Sequence, residues 1–178
     1  YYVWLTKQFS SPINVAIPSG NFGNAYSAWF GRSNGLPLNK ILCSTNVNDV
    51  LRRFIETGEL APEKTLPSIA PSMDIQIPSS LERLIFDFTD GASPFYDALL
   101  KEHKAKLPDD KIKLLNHIFS STTFLDDDIK SEIKSLYEEF VSIFDPHSVT
   151  SIRMALNNQD SVPTVGVATA SPEKFSNV

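Results

Sequence analysis

The sequence predicts an α/β protein, with a three-layer, open and mostly parallel sheet flanked by helices. Two apolar runs at 13–17 and 40–44 are short and rich in strand-forming residues, which favours buried parallel strands. Residues 22–34 between them have the length of a helix, and Gly35 stands where a left-handed helix stop is needed. Strand, helix and strand at this spacing form a βαβ unit.

Helices and one long connector account for most of the remaining chain. The connector at 60–78 has four prolines and no helical period, so it is predicted to be a loop. Helices are predicted at 1–9, 46–57, 80–91, 94–106, 111–119, 129–144 and 148–158, and a final strand at 163–169. We expect a single segment, 1–178, with a mainly helical insertion at about 80–145.

The helix predicted after Asp126, Asp127 and Asp128 has the clearest amphipathic pattern. Its apolar face is formed by Ile129, Ile133, Leu136, Tyr137, Phe140, Val141 and Phe144. The three carboxylates at its positive end complement the helix dipole. They also resemble a metal cluster, but adjacent helical residues point in different directions, so capping is favoured over metal binding.

Composition excludes several classes of protein. A net charge of −5 argues against a nucleic-acid partner that needs a basic face. No apolar run reaches the roughly 18 residues of a membrane span, so no membrane partner is expected. Cys43 is the single cysteine, which rules out an internal disulfide and fits a reducing compartment such as the cytoplasm. The chain opens on Tyr1 rather than Met, which indicates an incomplete chain.

The stretch from Ile13 to Asn24 carries the main functional signal. An apolar strand ends in Pro18, a Ser-Gly-Asn-Phe-Gly-Asn loop follows at 19–24, and the next helix has no acidic residue in its first turn. Glycines allow close backbone approach, and N–H groups at a helix N-terminus attract anions. The pattern by itself fits a phosphate site or a tight strand-to-helix turn equally well, and both readings stay open.

Other polar residues offer weaker candidates. His103 and His117 fall on predicted helices among lysines and are expected at the surface, and no histidine has the spacing of a metal site. His147 follows Asp145-Pro146, so a structural turn is favoured over a role in a site.

A second group lies at the rim of the predicted sheet. Asn46, Asn48 and Asp49 follow the second strand. They either line the same cleft as the glycine loop or cap the helix that follows, with Asn48 or Asp49 as the capping residue.

Several segments spread along the sequence resemble those of the threonine synthase family and occur in the same order. The segments that carry the resemblance are Pro18–Asn24, Gly35–Pro37, Thr45–Leu51, Pro71–Ile75, Leu81–Leu84, Asp145–Ser148 and Ala168–Phe175. The resemblance implies the C-terminal part of the large domain of a fold-type-II, tryptophan-synthase-β-like enzyme that uses pyridoxal 5′-phosphate (PLP). The family's Schiff-base lysine lies upstream, so this chain is expected to hold no catalytic residue, and the isolated chain to be inactive.

The resemblance also implies a cofactor site and a reaction. The parent enzyme would be a carbon–oxygen lyase acting on phosphates, converting O-phosphohomoserine and water to threonine and phosphate in threonine biosynthesis. Thr169 would meet the pyridine nitrogen of PLP. The PLP phosphate would be held by the Ser19 hydroxyl and the backbone N–H groups of Gly20, Asn21, Phe22, Gly23 and Asn24.

Two departures from the family and three alternatives accompany this hypothesis. Ser171 stands where relatives commonly have His, and 149–153 is bulkier than their small-residue segment. The alternatives are an O-phosphohomoserine phospho-lyase, a noncatalytic protein that binds a phosphate or a phosphorylated metabolite, and a structural fragment with an empty loop. The missing N-terminal part is the expected partner, so an exposed apolar patch is expected where it would pack.

Overall fold

The computed structural model describes residues 1–89, 91, 93–158 and 161–175, and a four-stranded parallel sheet lies at its centre. The strands of the described residues are β1 Ile13–Pro18, β2 Leu38–Thr45, β3 Glu59–Leu60, β4 Ala105–Lys106, β5 Phe119–Thr123 and β6 Thr164–Gly166. The central sheet has the order β5-β2-β1-β6, while β3 and β4 form a separate antiparallel pair.

Eight helices surround the strands within the described residues: α1 Tyr2–Thr6, α2 Gly23–Ser33, α3 Val50–Thr57, α4 Leu81–Thr89, α5 Ser93–Glu102, α6 Asp109–Ile118, α7 Asp126–Phe140 and α8 Ser148–Asn157. Short 3-10 turns occur at Pro71–Met73 and Pro172–Phe175. No helix in the described part of the chain is long and apolar enough to cross a membrane.

The core lies on both faces of the sheet, as the alternation of side chains along β1 requires. Ile13, Val15 and Ile17 pack into a large cluster with α2 to α6, whereas Ala16 belongs to a second cluster with α7 and α8. The predicted three-layer arrangement is therefore confirmed. Both predicted strands and the helix between them form a parallel βαβ unit.

Left-handed glycines follow two helices, and the one at Gly35 was predicted. Gly58 adopts φ 72° at the end of α3, and Gly35 adopts φ 91° just after α2. The left-handed region is inexpensive only for glycine, so both turns follow directly from the sequence.

Two long-range pairings were not predicted. β5, with the polar sequence Phe-Ser-Ser-Thr-Thr, pairs with β2 at the edge of the central sheet. The prediction of a helix at 94–106 was wrong for its last turn. Helix α5 ends at Glu102, His103 adopts a left-handed conformation with φ 56°, and Ala105 pairs with Leu60. The helical insertion at about 80–145 stays a prediction.

Four predicted boundaries also need correction, the first being that of the helix predicted at 1–9, which ends at Thr6. The helix predicted at 46–57 begins only at Val50, and the final strand predicted at 163–169 ends at Gly166. The apolar face predicted to run to Phe144 is buried at Ile129 and Leu136, but α7 stops at Phe140. Within the helix, the face beyond Leu136 is open to solvent, with Tyr137 50% and Phe140 46% exposed, whereas Phe144 lies past the helix end and packs against the second cluster.

Candidate functional site

The loop at 19–24 leaves the carboxyl end of β1 and enters α2. The N–H of Ser19 donates to the carbonyl oxygen of Ser44 at 2.8 Å, which fixes the loop to the end of β2. Phe22 adopts a left-handed conformation, φ 66°, and its buried ring packs on Phe119 with centroids 5.5 Å apart. The buried Phe22 ring thus fixes the turn from inside, at the carboxyl end of β1.

The backbone N–H groups of this loop are the main feature of the site. Within the described residues, no N–H group from Gly20 to Ala25 donates to a protein acceptor. Helix N-termini leave their first N–H groups without intrahelical partners, and the first turn of α2 contains no acidic residue. Unpaired donors at the positive end of a helix dipole form a binding site for an anion.

All predicted site residues line one cavity of about 280 Å³, near the lower end of the roughly 300–1,000 Å³ typical of small-molecule sites. Thr169 lines it from beyond the end of β6, not from the strand itself. The full lining is Pro18, Ser19, Gly20, Asn21, Phe22, Gly23, Asn24, Ala25, Ser72, Met73, His147, Thr169 and Ala170.

The polar side chains of the loop hold the loop itself in place. The Ser19 hydroxyl donates to the carbonyl oxygen of Ile17 at 3.1 Å. The Asn21 side-chain oxygen accepts from the N–H and hydroxyl of Ser79 at 2.7 and 2.9 Å. The Asn24 side-chain oxygen accepts from the Tyr2 hydroxyl at 2.8 Å. The loop therefore offers its backbone N–H groups, together with the side-chain amide N–H groups of Asn21 and Asn24, as donors toward the cavity.

The two loop glycines have different surroundings. A Cβ at Gly20 would lie 2.6 Å from the Ser72 carbonyl oxygen and 2.9 Å from Met73 Cα, distances that require glycine. A Cβ at Gly23 would meet only the Ser80 hydroxyl, at 3.4 Å. Gly20 therefore serves a close backbone approach within the protein, while the protein leaves space at Gly23.

His147 both forms a turn and lines the cavity. Its N–H donates to Asp145 Oδ1 at 3.0 Å, which is the predicted turn. Its ring Nε2 accepts from the N–H of Ser72 at 3.1 Å, and Nδ1 lies 2.8 Å from Asp145 Oδ1. Because Nε2 accepts, the ring proton must sit on Nδ1 and point to Asp145.

Asp145 lies beneath the cavity as a buried carboxylate. Burial raises the pKa of this carboxyl, but hydrogen bonds from His147 and Ser148 outweigh it and hold the pKa below its usual range. The Ser148 hydroxyl donates to Asp145 Oδ2 and accepts from the N–H of Thr169 at 2.9 Å. These hydrogen bonds favour the ionised form of Asp145.

Sequence reasoning missed Ser72 and Met73, and it ranked a site role for His147 below a structural turn. They reach the cavity only because the connector folds back over the loop, and Ser72 and His147 are separated by 75 positions. The one available signal was that their segments are among those that resemble the family.

The hypothesis that these rim residues line the cavity is wrong, and the capping hypothesis is right only in position, since Asp49 is the N-cap residue of α3. Asn46 and Asn48 do not line the cavity, and both donate to Asp74 Oδ1, at 2.7 and 3.0 Å. Asp49 precedes α3 but makes no side-chain cap, since its carboxylate pairs with Arg52 and Arg53. These residues therefore hold the connector and the first turn of α3.

The described residues contain no group of side chains arranged to bind a metal ion. Asp128 Oδ2 accepts from the N–H of Leu125 at 2.9 Å, so capping of α7 is confirmed. His103 and His117 are exposed, although His103 lies just past the end of α5.

The known proteins that this chain is similar to include threonine synthases and a threonine synthase-like protein. Threonine synthase from Pseudomonas aeruginosa is 30% identical over 184 residues, and threonine synthase-like 1 from Homo sapiens is 31% identical over 175 residues. A crystal structure of PLP-bound threonine synthase from Brucella melitensis has a TM-score of 0.94 at 26% identity. No protein-family model matches the chain.

These similarities cover almost all of this chain but less than half of each relative. The alignments include 98% and 94% of the chain, yet 39% of the Pseudomonas protein and 24% of the human one. The Brucella structure is covered to 40%, and this chain to 99%. The chain thus spans about two fifths, or less, of the length of these three proteins.

Proposed function

We propose that this chain, which is related over almost its whole length to the threonine synthases, forms the C-terminal part of such an enzyme. It would hold PLP in the cavity beside the loop at 19–24. The observation that carries the proposal is the run of N–H groups from Gly20 to Ala25 that have no protein acceptor in the described chain.

The residues present fit a phosphate group. A phosphate carries acceptor oxygens and negative charge, and the loop offers several N–H donors at a helix N-terminus with no acid in its first turn. Gly23 adds no side chain to this surface, and the neighbouring segment leaves room there. The loop would therefore hold the phosphate by its backbone.

Thr169 would face the ring end of the cofactor. Its side chain is exposed to the cavity and its backbone is fixed by Ser148. A hydroxyl at the pyridine nitrogen, in place of a carboxylate, would leave that nitrogen less firmly protonated. Bound PLP supplies an electron sink for carbanions, and the protein tunes it through such contacts.

The proposed reaction of the parent enzyme is the conversion of O-phosphohomoserine and water to threonine and phosphate. The lysine that reacts with PLP and part of the substrate site would come from outside this chain, so the chain alone would be inactive. The remainder of the parent is thus its proposed partner. A cytoplasmic location is part of the proposal, which the buried free thiol of Cys43 supports.

An isosteric charge change tests the cofactor site. Asn24→Asp keeps an acceptor for the Tyr2 hydroxyl but adds a negative charge to the first turn of α2. The matched control is Asn116→Asp, the same change on the exposed face of α6 and away from the cavity. Both are introduced into the protein at its full natural length, and the apo-protein is titrated with PLP by absorbance.

Asn24→Asp should weaken PLP binding roughly tenfold or more, because like charges near contact repel by about 1–4 kcal/mol. Asn116→Asp should bind like the parent protein. Equal affinity in all three proteins would refute the loop as the phosphate site. Product analysis with O-phosphohomoserine then separates the two enzyme hypotheses, since a phospho-lyase would release phosphate without threonine.

A further inference from the structure

Two walls of the cavity come from distant parts of the chain but are attached to the same four residues. One wall is Ser72 and Met73, and the other is Thr169 and Ala170. The N–H of Ser72 donates to His147 Nε2 at 3.1 Å, and the N–H of Thr169 donates to Ser148 Oγ at 2.9 Å. Each wall is thus held through a side chain next to Asp145.

Asp145 determines how both of these side chains present their acceptors. Its Oδ1 takes the Nδ1 proton of His147, which leaves the Nε2 lone pair for Ser72. Its Oδ2 takes the hydroxyl proton of Ser148, which leaves an oxygen lone pair for Thr169. Asp145 is 1% exposed, so water cannot readily replace these donors.

We propose that Asp145 is a positioning residue that couples the two walls of the cavity through His147 and Ser148. The relay runs from the Ser72 amide through the imidazole, the carboxylate and the hydroxyl to the Thr169 amide. Only the identity of the anion in the cavity rests on the function proposed above; the coupling itself does not.

The relay affects the loop at 19–24 because the wall formed by Ser72 and Met73 lies directly against that loop. The Ser72 carbonyl oxygen and Met73 Cα would be 2.6 and 2.9 Å from a Cβ at Gly20. Such close packing transmits displacement. Loss of the Ser72 bond to His147 should therefore loosen the loop, while loss of the Thr169 bond should loosen the opposite end of the cavity.

Hydrogen–deuterium exchange tests the relay without any ligand. The full-length protein is compared with Asp145→Ala, His147→Ala, His147→Gln and Ser148→Ala, and exchange is followed in peptides spanning 69–75 and 167–171. The peptide spanning 50–57, from α3, serves as the internal control for global destabilisation.

Asp145→Ala should speed exchange in both wall peptides and leave the α3 peptide unchanged. His147→Ala should act chiefly on 69–75, and Ser148→Ala chiefly on 167–171. His147→Gln, which can place an acceptor oxygen near Nε2, should restore protection at 69–75. If Asp145→Ala does not fold, opposite-wall effects decide the question: His147→Ala and Ser148→Ala should each raise exchange at the other wall by a smaller factor.

The same variants are then titrated with PLP. His147→Ala should bind about fivefold more weakly, the value of one net hydrogen bond, and His147→Gln should recover most of the loss. Single-wall exchange changes with no effect on the opposite wall would overturn the coupling. Intact coupling with no PLP binding by the parent protein would instead overturn the proposed function and leave the relay standing.

Discussion

A Cβ atom on Gly20 would lie 2.6 Å from the carbonyl oxygen of Ser72. This relationship ties the glycine loop to the connector that closes over it. The atom that would be met is backbone, which cannot turn away as a long side chain can. Steric demand by the protein itself thus explains the first glycine of the loop, whereas the second has room beside it.

Gly20→Ala should therefore destabilise the protein by about 1–3 kcal/mol, the usual cost of overpacking. Gly23→Ala is the matched control in the same loop, since its Cβ would meet only the Ser80 hydroxyl at 3.4 Å. It should change the free energy of unfolding little, or raise it by up to about 1 kcal/mol from helix propensity. Urea denaturation measures both, and equal stability of the two variants would contradict the steric argument.

The thiol of Cys43 should be unreactive in the folded protein. Cys43 is fully buried in β2, and burial raises the pKa of its thiol to about 12, with a smaller opposing effect from Ser19. Since the thiolate is the nucleophile, DTNB at pH 8 should modify this thiol only after denaturant is added. Reaction in native buffer at the rate of an exposed thiol would contradict the burial.

The same raised pKa predicts a dependence of stability on alkaline pH. The thiol stays neutral in the folded state but ionises above about pH 8.5 in the unfolded state. The stabilising contribution of this neutral buried thiol to the free energy of unfolding is therefore complete below about pH 8.5. It declines as pH rises toward about 12. Between pH 8 and 10, the stability advantage of the parent over Cys43→Ala should shrink by about 1–2 kcal/mol.

Local patterns predicted the centre of the fold and the position of the loop at 19–24. The runs that became β1 and β2 are apolar, and the loop between β1 and α2 has its signal in adjacent residues. β5 gave no such signal, because Phe119–Thr123 is mostly polar and is fixed by pairing with β2.

The remaining parts of the site depend on contacts that no local pattern contains. The bond between Ser72 and His147 spans 75 positions, and only folding of the connector brings the two together. The same applies to Asn46, whose amide is used by Asp74 and Ser68 rather than by the cavity or by α3. Residue type indicated polar roles in these cases, but the partners were set by tertiary structure.

Acid should weaken the relay beneath the cavity. The pKa of Asp145 is held below its usual range, so its stabilising contribution is present above about pH 4, the unfolded value, and is lost as pH falls through the lower folded value. The difference in unfolding free energy between the parent and Asp145→Asn should therefore shrink below about pH 4.

Ser142→Ala is the control for this titration, because Ser142 is exposed and carries no ionisable group. Its difference from the parent should not change with pH, since the substitution neither adds nor removes a titrating side chain. His147 is the ionisable side chain that contacts Asp145 among the described residues. Repeating the series in a His147→Gln background separates the carboxylate from the imidazole. A constant difference for Asp145→Asn would show that the native and unfolded pKa values are equal.

Within the connector, substitution of Asp74 should lower the free energy of unfolding the most. Its carboxylate accepts from Asn46 Nδ2 at 2.7 Å, Asn48 Nδ2 at 3.0 Å, and the Ser68 hydroxyl and N–H at 2.6 and 3.0 Å. All four donors are neutral, and together they occupy both oxygens of this partly buried carboxylate. An amide can accept at one position only, so Asp74→Asn would set its NH₂ group against existing donors.

Asp74→Asn should therefore cost about 2–3 kcal/mol in urea denaturation, from donors left unsatisfied. It should also weaken PLP binding, because Asp74 follows Ser72 and Met73 and holds their segment in place. Asp87→Asn is the control, since Asp87 also accepts two side-chain hydrogen bonds but in an exposed setting, from Tyr26 and Trp29. If the two substitutions cost the same, the connector is held by packing and not by this carboxylate.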